Sequence, residues 1–126
     1  MPTAFVIHLH TGHGPDHFDL MIQHGSGLAT WRLGNDPGAL AEGDAIPAVR
    51  LPDHRHAYLT YEGPVRGGRG QVRRVDRGQC ELLEVSETRW EIRLAGARCR
   101  GRFALRRNEH EGEQWTLRRV GERDSA

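Results

Sequence analysis

Apolar and polar residues alternate in short runs along most of the chain. Trp90, Ile92 and Leu94 are each separated by a charged residue, and Phe103 and Leu105 stand among arginines in the same way. Alternation with a period of two is typical of a β-strand with one buried and one solvated face. Glycine, proline and aspartate recur between the runs and predict turns. The predicted strands span residues 4–10, 17–23, 27–33, 46–51, 56–62, 70–76, 79–85, 89–95, 101–107 and 114–120.

The strand pattern predicts a mainly β fold. So many strands in 126 residues favour a small antiparallel β-barrel that is closed or nearly closed, because closure removes unpaired strand edges. One or two short helices are expected beside the strands. The clearest covers part of 36–42, where Asp36 is a candidate N-cap and Pro37 the first helical residue. Residues 1–126 are expected to form a single domain.

The charges are unevenly distributed between the two halves of the chain. Residues 1–63 carry three arginines and seven acids, whereas residues 64–126 carry fifteen arginines and ten acids. A basic half beside a histidine-rich half suits an anionic substrate, although interspersed arginine and glutamate that merely solvate strand faces explain the same count. The chain has no lysine, which excludes a lysine nucleophile and a lysine-bound adenylate, and with it ligase activity of this chain.

The cysteine content and the hydropathy indicate the compartment. Cys80 and Cys99 are too few for a disulfide framework and are expected to be reduced. No apolar run approaches the length of a membrane span, and the N-terminus lacks a basic region and a cleavage site. We therefore expect a soluble, cytoplasmic monomer that does not bind membranes.

Histidines share strand faces with a carboxylate near the N-terminus. In the first predicted strand His10 lies on the face opposite the apolar residues, and in the second His17 and Asp19 do the same. The connecting residues 11–16 are rich in turn formers, which brings the ends of both strands together. Two neutral imidazoles and one carboxylate form a three-ligand set that leaves positions open for water and substrate. His10, His17 and Asp19 are therefore predicted to bind a divalent metal.

A second polar group falls on the predicted strand 56–62 and the residues before it. His54, His56 and Tyr58 would share one face, and a histidine and a phenol there can donate hydrogen bonds to a phosphate. A solvated histidine and a tyrosine at a sheet edge fit the spacing equally well. The four other histidines are predicted to be surface residues: His8, His13, His24 and His110.

Other basic or glycine-rich segments carry weaker signals. The glycine-rich segment 63–70 lacks the lysine and the following helix of a phosphate-binding loop, and it is predicted to be a strand connection. Arginines recur at 73–74, 98–102 and 106–107, and only clustering in the fold would make them a nucleic-acid footprint.

A series of short motifs follows in order along the chain. They are Phe5-Val6-Ile7, His10, His17-Phe18-Asp19-Leu20, Thr30-Trp31, Asp53-His54, Tyr58, Glu62-Gly63, Asp76-Arg77-Gly78, Gly101-Arg102-Phe103-Ala104-Leu105 and Trp115-Thr116-Leu117. In their order and spacing they resemble the 3′-phosphoesterase domain at the N-terminus of bacterial ATP-dependent DNA ligase D and its small stand-alone relatives. The resemblance extends over nearly the whole chain.

The resemblance implies a compact β-barrel hydrolase that uses a divalent metal, typically Mn²⁺, to trim the 3′ ends of nucleic acids. Such domains remove a 3′-phosphate or a terminal ribonucleoside. By position, His10, His17 and Asp19 would be the metal ligands, and His54 and Tyr58 would contact the scissile phosphate. The implied partners are nucleic-acid 3′ ends, with a ligase or polymerase acting in trans.

The chain departs from the family pattern at residues that would hold the phosphate. Met21 stands where the family usually has an arginine, and Gln23 stands where it has a glutamate. On an approximate alignment, Asn35 and Ile46 replace two basic residues. The neighbouring Arg32 and Arg50, together with His56, are the candidates that could bind substrate instead.

The leading hypothesis is thus a metal-dependent phosphoesterase acting on 3′ termini of DNA or RNA. A carboxylate with imidazoles suits Mn²⁺, and Zn²⁺ is the alternative because affinity alone favours it. The second hypothesis is a barrel that binds nucleic-acid ends or a repair partner without turnover. A third is a metal phosphoesterase for small nucleotides.

Overall fold

The computed structural model describes residues 2–109 and 112–122. Within these ranges the chain forms nine strands: β1 (Pro2–Thr11), β2 (His17–His24), β3 (Gly27–Leu33), β4 (Ala45–Arg55), β5 (Gly63–Pro64), β6 (Gln71–Val85), β7 (Arg89–Gly96), β8 (Arg100–Arg107) and β9 (Gln114–Val120). Three short 3-10 turns accompany them, at Pro37–Ala39, His56–Leu59 and Arg66–Gly68.

Eight of the strands close into an antiparallel barrel. Their order around the ring is β1-β2-β3-β4-β9-β8-β7-β6, and pairing of β6 with β1 completes it. The two-residue β5 pairs with the start of β6 outside this ring. The predicted small antiparallel β-barrel is therefore confirmed, and closure leaves most strand edges paired.

The barrel interior is filled by the apolar side chains of the alternating strands. Trp31 lies at its centre and meets Trp90 and Trp115 edge to face, with ring centroids 5.0 and 5.6 Å apart. Such aromatic pairs contribute about 0.5–1.5 kcal/mol each beyond the area they bury. Cys80 and Cys99 are buried as free thiols, in agreement with the sequence prediction. The alternation therefore predicts the inner face of the barrel correctly.

The predicted strands 70–76 and 79–85 are one continuous strand, β6. The sequence pattern predicts a break at residues 77–78, but Gly78 lies within the strand, where β7 comes close: a Cβ there would be 2.2 Å from the carbonyl oxygen of Ala95. Asp76 does not cap a turn within β6. Its carboxylate accepts hydrogen bonds of 2.6–3.2 Å from the backbone N–H groups of the turn 97–99. Both turn formers thus serve contacts with β7 and the turn that follows it.

The predicted strand 56–62 is wrong. His56–Leu59 form a 3-10 turn, and the segment crosses the outside of the barrel wall. Tyr58 and Leu59 pack on an outer apolar patch made of Val6, Met21 and Leu28, which are all buried. In a strand, adjacent side chains point to opposite faces, so Tyr58 and Leu59 could not both pack on one surface. Residues 56–59 therefore form a cover over β1, β2 and β3.

The predicted helix in 36–42 is reduced to the 3-10 turn Pro37–Ala39. Asp36 accepts a hydrogen bond of 2.9 Å from the N–H of Gly38, and Pro37 is at the first helical position, as predicted. The turn ends at Leu40, whose backbone is extended and whose side chain packs against the core. Among the described residues, no helix combines the length and the apolar character needed to cross a membrane.

Candidate functional site

The polar side chains of β1 and β2 form a cluster on the outer face of the barrel wall. His10 pairs directly with His17 across the two strands, and His8 pairs with Asp19. Directly opposite residues of antiparallel strands project to the same side, so all four side chains lie together. The inner face of the same strands carries the apolar core, and this places the cluster outside the barrel interior.

The structure brings His10, His17 and Asp19 together. One ligand atom from each lies within 4.8 Å of the other two. The Nε2 atom of His17 is 3.6 Å from Oδ2 of Asp19, and the rings of His10 and His17 are 4.7 Å apart between centroids. Ligand atoms that share an ion at bond lengths of about 2.0–2.2 Å are about 3–4 Å apart, so small side-chain rotations bring all three onto one cation.

Backbone carbonyl groups fix the tautomers of both histidines. Nε2 of His10 lies 2.6 Å from the carbonyl oxygen of Arg69, which can only accept, so Nε2 carries the proton and Nδ1 keeps the lone pair. Nδ1 of His17 lies 3.3 Å from the carbonyl oxygen of Pro15, which assigns the lone pair of His17 to Nε2. A hydrogen bond from the second ring nitrogen to a carbonyl is the usual support of a metal-binding histidine.

Unpartnered buried atoms show that the donor set fits a divalent metal. Nε2 of His17 and Oδ1 of Asp19 are buried and make no hydrogen bond with the described residues. Burying polar atoms without a partner is costly, and a cation bound between them removes that cost. Burial also lowers the pKa of His17, with Asp19 opposing the shift, and this favours the neutral imidazole that a metal requires.

Arg32 is brought to the same cluster from β3. It pairs with Asp19 across β2 and β3, and its Nε lies 3.6 Å from Oδ1 of that carboxylate. The side chain of Arg32 is 44% exposed, so it is open to solvent beside the three candidate ligands. The guanidinium of Arg32 can bind an anionic oxygen of a substrate in this position.

His8 is buried, which corrects its assignment as a surface residue. It is 1% exposed, and its Nε2 has no hydrogen-bond partner among the described residues. Burial lowers the pKa of His8 to about 4, against the opposing influence of Asp19. His8 is therefore neutral at physiological pH and forms the inner wall of the site. The alternation of β1 already placed it on the face of His10, and this signal could have found it.

The residues predicted to contact phosphate lie beside the cluster at increasing distance. The ring of Tyr58 is 6.4 Å from that of His8, and the ring of His54 is 5.8 Å from that of Tyr58. Nδ1 of His54 is 3.1 Å from the carbonyl oxygen of Pro52. His56 is exposed at the start of the 3-10 turn, and the common strand face predicted for it with His54 and Tyr58 does not exist. The structure thus places Tyr58 next to His8 and His54 next to Tyr58, and His56 is exposed.

Arg50 is not brought to the cluster. It lies on the inner face of β4, where its guanidinium stands 4.3 Å from the ring centroid of Trp31 and within 6 Å of Trp90 and Trp115. Arg50 pairs with Trp31, whereas Arg32 pairs with Val49, and alternation sends the two arginines to opposite sides of the wall. Arg50 therefore caps the tryptophan cluster at the barrel mouth.

The four departures from the family pattern have different surroundings. Met21 is buried in the outer apolar patch with Val6, so no charged group takes its place there. Ile46 packs against the barrel core, Asn35 is exposed in a bend, and Gln23 is half-buried near the end of β2. Of the described arginines that sequence reasoning proposed as replacements, Arg32 alone lies at the cluster.

The remaining predicted surface histidines have different outcomes. His13 and His24 are exposed, as predicted, and the ring of His24 lies 5.1 Å from that of Trp90. His110 lies outside the described residues. Sequence reasoning missed Arg69, whose backbone carbonyl holds His10, because a main-chain group leaves no sign in a side-chain pattern.

Comparison with known proteins gives one family. The sequence model of the DNA Ligase D 3′-phosphoesterase domain matches residues 8–107, which is 100 of the 126 residues. The match includes all three candidate metal ligands and both residues predicted to contact phosphate. No curated protein matches the chain significantly.

Proposed function

The chain belongs to the family of DNA Ligase D 3′-phosphoesterase domains, and from this premise we propose that it is a metal-dependent phosphoesterase acting on the 3′ ends of DNA or RNA. Its substrates would be a terminal 3′-phosphate or a terminal ribonucleoside. Mn²⁺ is the proposed metal, with Zn²⁺ as the alternative, because two imidazoles and one carboxylate accept either.

The observation that supports this proposal is the convergence of His10, His17 and Asp19 within 4.8 Å, with both imidazoles oriented by backbone carbonyls. Two buried atoms of the set, one on His17 and one on Asp19, have no hydrogen-bond partner among the described residues. Histidines that are merely solvated on a surface are not expected to have both rings oriented by backbone carbonyls. The arrangement is the one expected for a metal site with open positions.

The proposed chemistry assigns a task to each side chain. A divalent metal bound there supplies Lewis acidity and a water of lowered pKa. His10, His17 and Asp19 would hold the ion. Arg32 would bind a non-bridging phosphate oxygen, and its exposed donors are free to do so because its contact with Asp19 is longer than a hydrogen bond.

Tyr58 and His54 would act on the other side of the phosphate. The Tyr58 ring packs against the apolar patch, which fixes the direction of its hydroxyl. Tyr58 would donate a hydrogen bond to a phosphate oxygen, and His54 would protonate the departing oxygen. Tyr58 lies 6.4 Å from His8 and His54 lies 5.8 Å from Tyr58, both measured between ring centroids, so the two side chains stand beside the residue that pairs with Asp19.

Two measurements on the same protein test the proposal. Thermal melting with and without Mn²⁺ reports metal binding, because a ligand that binds only the folded state raises Tm. Hydrolysis of a primer with a 3′-phosphate, followed by phosphate release, reports turnover. Asp19→Asn should lose both effects, and His56→Ala, which changes an exposed histidine outside the site, should retain both.

The outcomes separate the hypotheses. Stabilisation by Mn²⁺ together with Asp19-dependent turnover supports the phosphoesterase. Stabilisation without turnover favours a barrel that binds nucleic-acid ends, for which the buried Met21 is the motivating observation. Turnover of a free nucleoside 3′-phosphate in preference to the primer indicates a small nucleotide as substrate. Absence of both effects contradicts a metal site.

A further inference from the structure

A basic groove lies on the outer face of β7, β8 and β9, away from the candidate metal site. It has a volume of about 380 Å³. Its lining includes Arg89, Glu91, Arg102, Ala104, Arg106 and Arg118. In the eight-stranded ring β8 is four strands from β2 in either direction, so the groove and the His10–His17–Asp19 cluster are on opposite sides of the barrel.

Positive charge dominates this groove, with four guanidinium groups in the lining against a single carboxylate. That carboxylate, Glu91, is shared: it accepts a hydrogen bond of 2.6 Å from Arg102 and a further one from Arg89. Glu84, outside the lining, lies 3.7 Å from Nε of Arg89, so Arg89 and Arg102 have two acids between them, and the charges of Arg106 and Arg118 are additional. The groove therefore keeps a surplus of positive charge that attracts anions.

The floor of the groove includes an arginine whose charge is incompletely compensated. Arg102 is 9% exposed, and of its donors Nη2 alone reaches Glu91. Nε and Nη1 of Arg102 are buried and have no hydrogen-bond partner among the described residues, and the same holds for Nε of Arg89. Arg102 is therefore a fixed positive charge beneath the surface. An anion in the groove above it reduces the cost of that buried charge.

The rim supplies the donors that can reach a ligand. Arg106 and Arg118 are exposed: Arg118 pairs directly with Ala104 across β8 and β9, and Arg106 follows Ala104 by two residues on the same face of β8, so the small side chain of Ala104 leaves space beside both. Nη1 of Arg118 donates to the carbonyl oxygen of Gly43 at 2.9 Å, which holds the guanidinium in place. The side chain of Arg106 makes no hydrogen bond or ion pair with the described residues. Planar guanidinium groups in this arrangement suit phosphate oxygens.

We propose that this groove binds the phosphodiester backbone of a nucleic-acid strand, at phosphates remote from the 3′ end. The choice of nucleic acid as occupant rests on the proposed function, and the surplus of arginine in residues 64–126 agrees with it. Because the groove faces away from the cluster on β1 and β2, it cannot hold the phosphate that reacts. It would add affinity that is independent of base sequence and sensitive to salt.

Binding of a short single-stranded DNA with a fluorophore at its 3′ end tests the inference, by fluorescence anisotropy across a series of salt concentrations. Arg106→Gln and Ala104→Glu should each weaken binding several-fold. Arg106→Gln should also lower the slope of log K against log salt by about 0.7, the value for one phosphate contact to a single strand. Neither variant removes a residue of the candidate metal site.

Matched variants distinguish an effect of the groove on DNA binding from an effect of the overall charge of the protein. Arg77→Gln removes an exposed arginine of β6, and Ala95→Glu adds an acid on the outer face of β7, both outside the groove. These controls should bind like the unchanged protein. Equal weakening by groove and control variants, or no weakening by the groove variants, overturns the inference.

The labelled DNA carries neither a terminal 3′-phosphate nor a terminal ribonucleoside, and an equilibrium binding measurement needs no turnover, so the binding result does not depend on the proposed activity. Groove-dependent binding in a protein that fails to release phosphate from a primer contradicts the proposed function alone. If the protein releases phosphate and the groove variants still bind DNA normally, the results contradict the groove proposal and leave the proposed function intact.

Discussion

The Nε2 atom of His10 lies 2.6 Å from the carbonyl oxygen of Arg69, a residue 59 positions further along the chain. This contact joins β1 to the connection between β5 and β6. It determines which nitrogen of His10 is available to a metal, because the proton must be on Nε2. The candidate metal site therefore depends on the β5–β6 connection as well as on the strands that carry the ligands.

Substitution of Gly70 should weaken metal binding without touching a ligand. A Cβ on Gly70 would lie 2.0 Å from the carbonyl oxygen of Thr11, so Gly70→Ala must move the adjacent Arg69 carbonyl away from His10. Loss of such a supporting hydrogen bond costs about 10–100-fold in metal affinity. Titration calorimetry with Mn²⁺ measures the change. Gly68→Ala is the control, since Gly68 has a similar positive φ but no atom within 4 Å of the new Cβ; equal affinities for the two variants would contradict the prediction.

We expect Arg32 to contribute to substrate binding and turnover but not to Mn²⁺ affinity. Arg32→Gln removes a positive charge 3.6 Å from Asp19, so Mn²⁺ affinity should be unchanged or slightly higher. Loss of a charged hydrogen bond to phosphate should lower kcat/KM for a 3′-phosphorylated primer by about 10–100-fold. Steady-state kinetics at saturating Mn²⁺ measure this. Arg50→Gln should leave Mn²⁺ affinity unchanged, because Arg50 is on the inner face of β4. Kinetics of Arg32→Gln that match the unchanged protein would remove Arg32 from the site.

Acid should reduce the contribution of Glu91 to stability. The pKa of Glu91 is below its ordinary value, because Arg102 and then Arg89 donate hydrogen bonds to the carboxylate. A lowered folded-state pKa adds stability that is complete above the unfolded-state pKa and is lost as pH falls through the folded-state value. Urea unfolding should therefore show a smaller difference between the unchanged protein and Glu91→Gln at about pH 3 than at about pH 7. Glu87→Gln, at an exposed position, should show no such trend; a pH-independent difference for Glu91→Gln would refute the linkage.

The two thiols should be unreactive in the folded protein. Burial raises the pKa of Cys80 and of Cys99 to about 12, so the reactive thiolate is scarce at mildly alkaline pH. A colorimetric disulfide reagent should detect no thiol in the native state and both thiols in denaturant. The time course of release then follows unfolding. Rapid labelling of either cysteine without denaturant would contradict the closed barrel interior.

Gly78 should be required for the pairing of β6 with β7. A Cβ at this position would lie 2.2 Å from the carbonyl oxygen of Ala95, and backbone cannot move aside cheaply. Gly78→Ala should lower the free energy of unfolding by about 1–3 kcal/mol, as overpacking does. Gly34→Ala, where nothing lies within 4 Å of the new Cβ, should change it by less than about 0.5 kcal/mol. Urea unfolding monitored by circular dichroism distinguishes the two, and equal stability of both variants would refute the close approach.

The structure departs from the sequence pattern at segments whose conformation depends on a distant surface. The alternation of His54, His56 and Tyr58 resembles that of a strand, yet Tyr58 is drawn onto the apolar patch around Met21. His8 was placed on a solvated face that this cover then buries. Periodicity records which residues share a face, but it does not record whether a remote segment lies over that face.

The sequence by itself determined the antiparallel strands, the buried inner face and the proximity of His10, His17 and Asp19, because each follows from local alternation and one short turn. The tertiary structure alone decided that Arg32 lies at this cluster while Arg50 lies over the tryptophans, since the direction of each arginine follows from the register of β3 and β4. It also decided the tautomer of His10. A backbone carbonyl far along the chain supplies that contact, and contacts between distant segments are set by the folding of the whole chain.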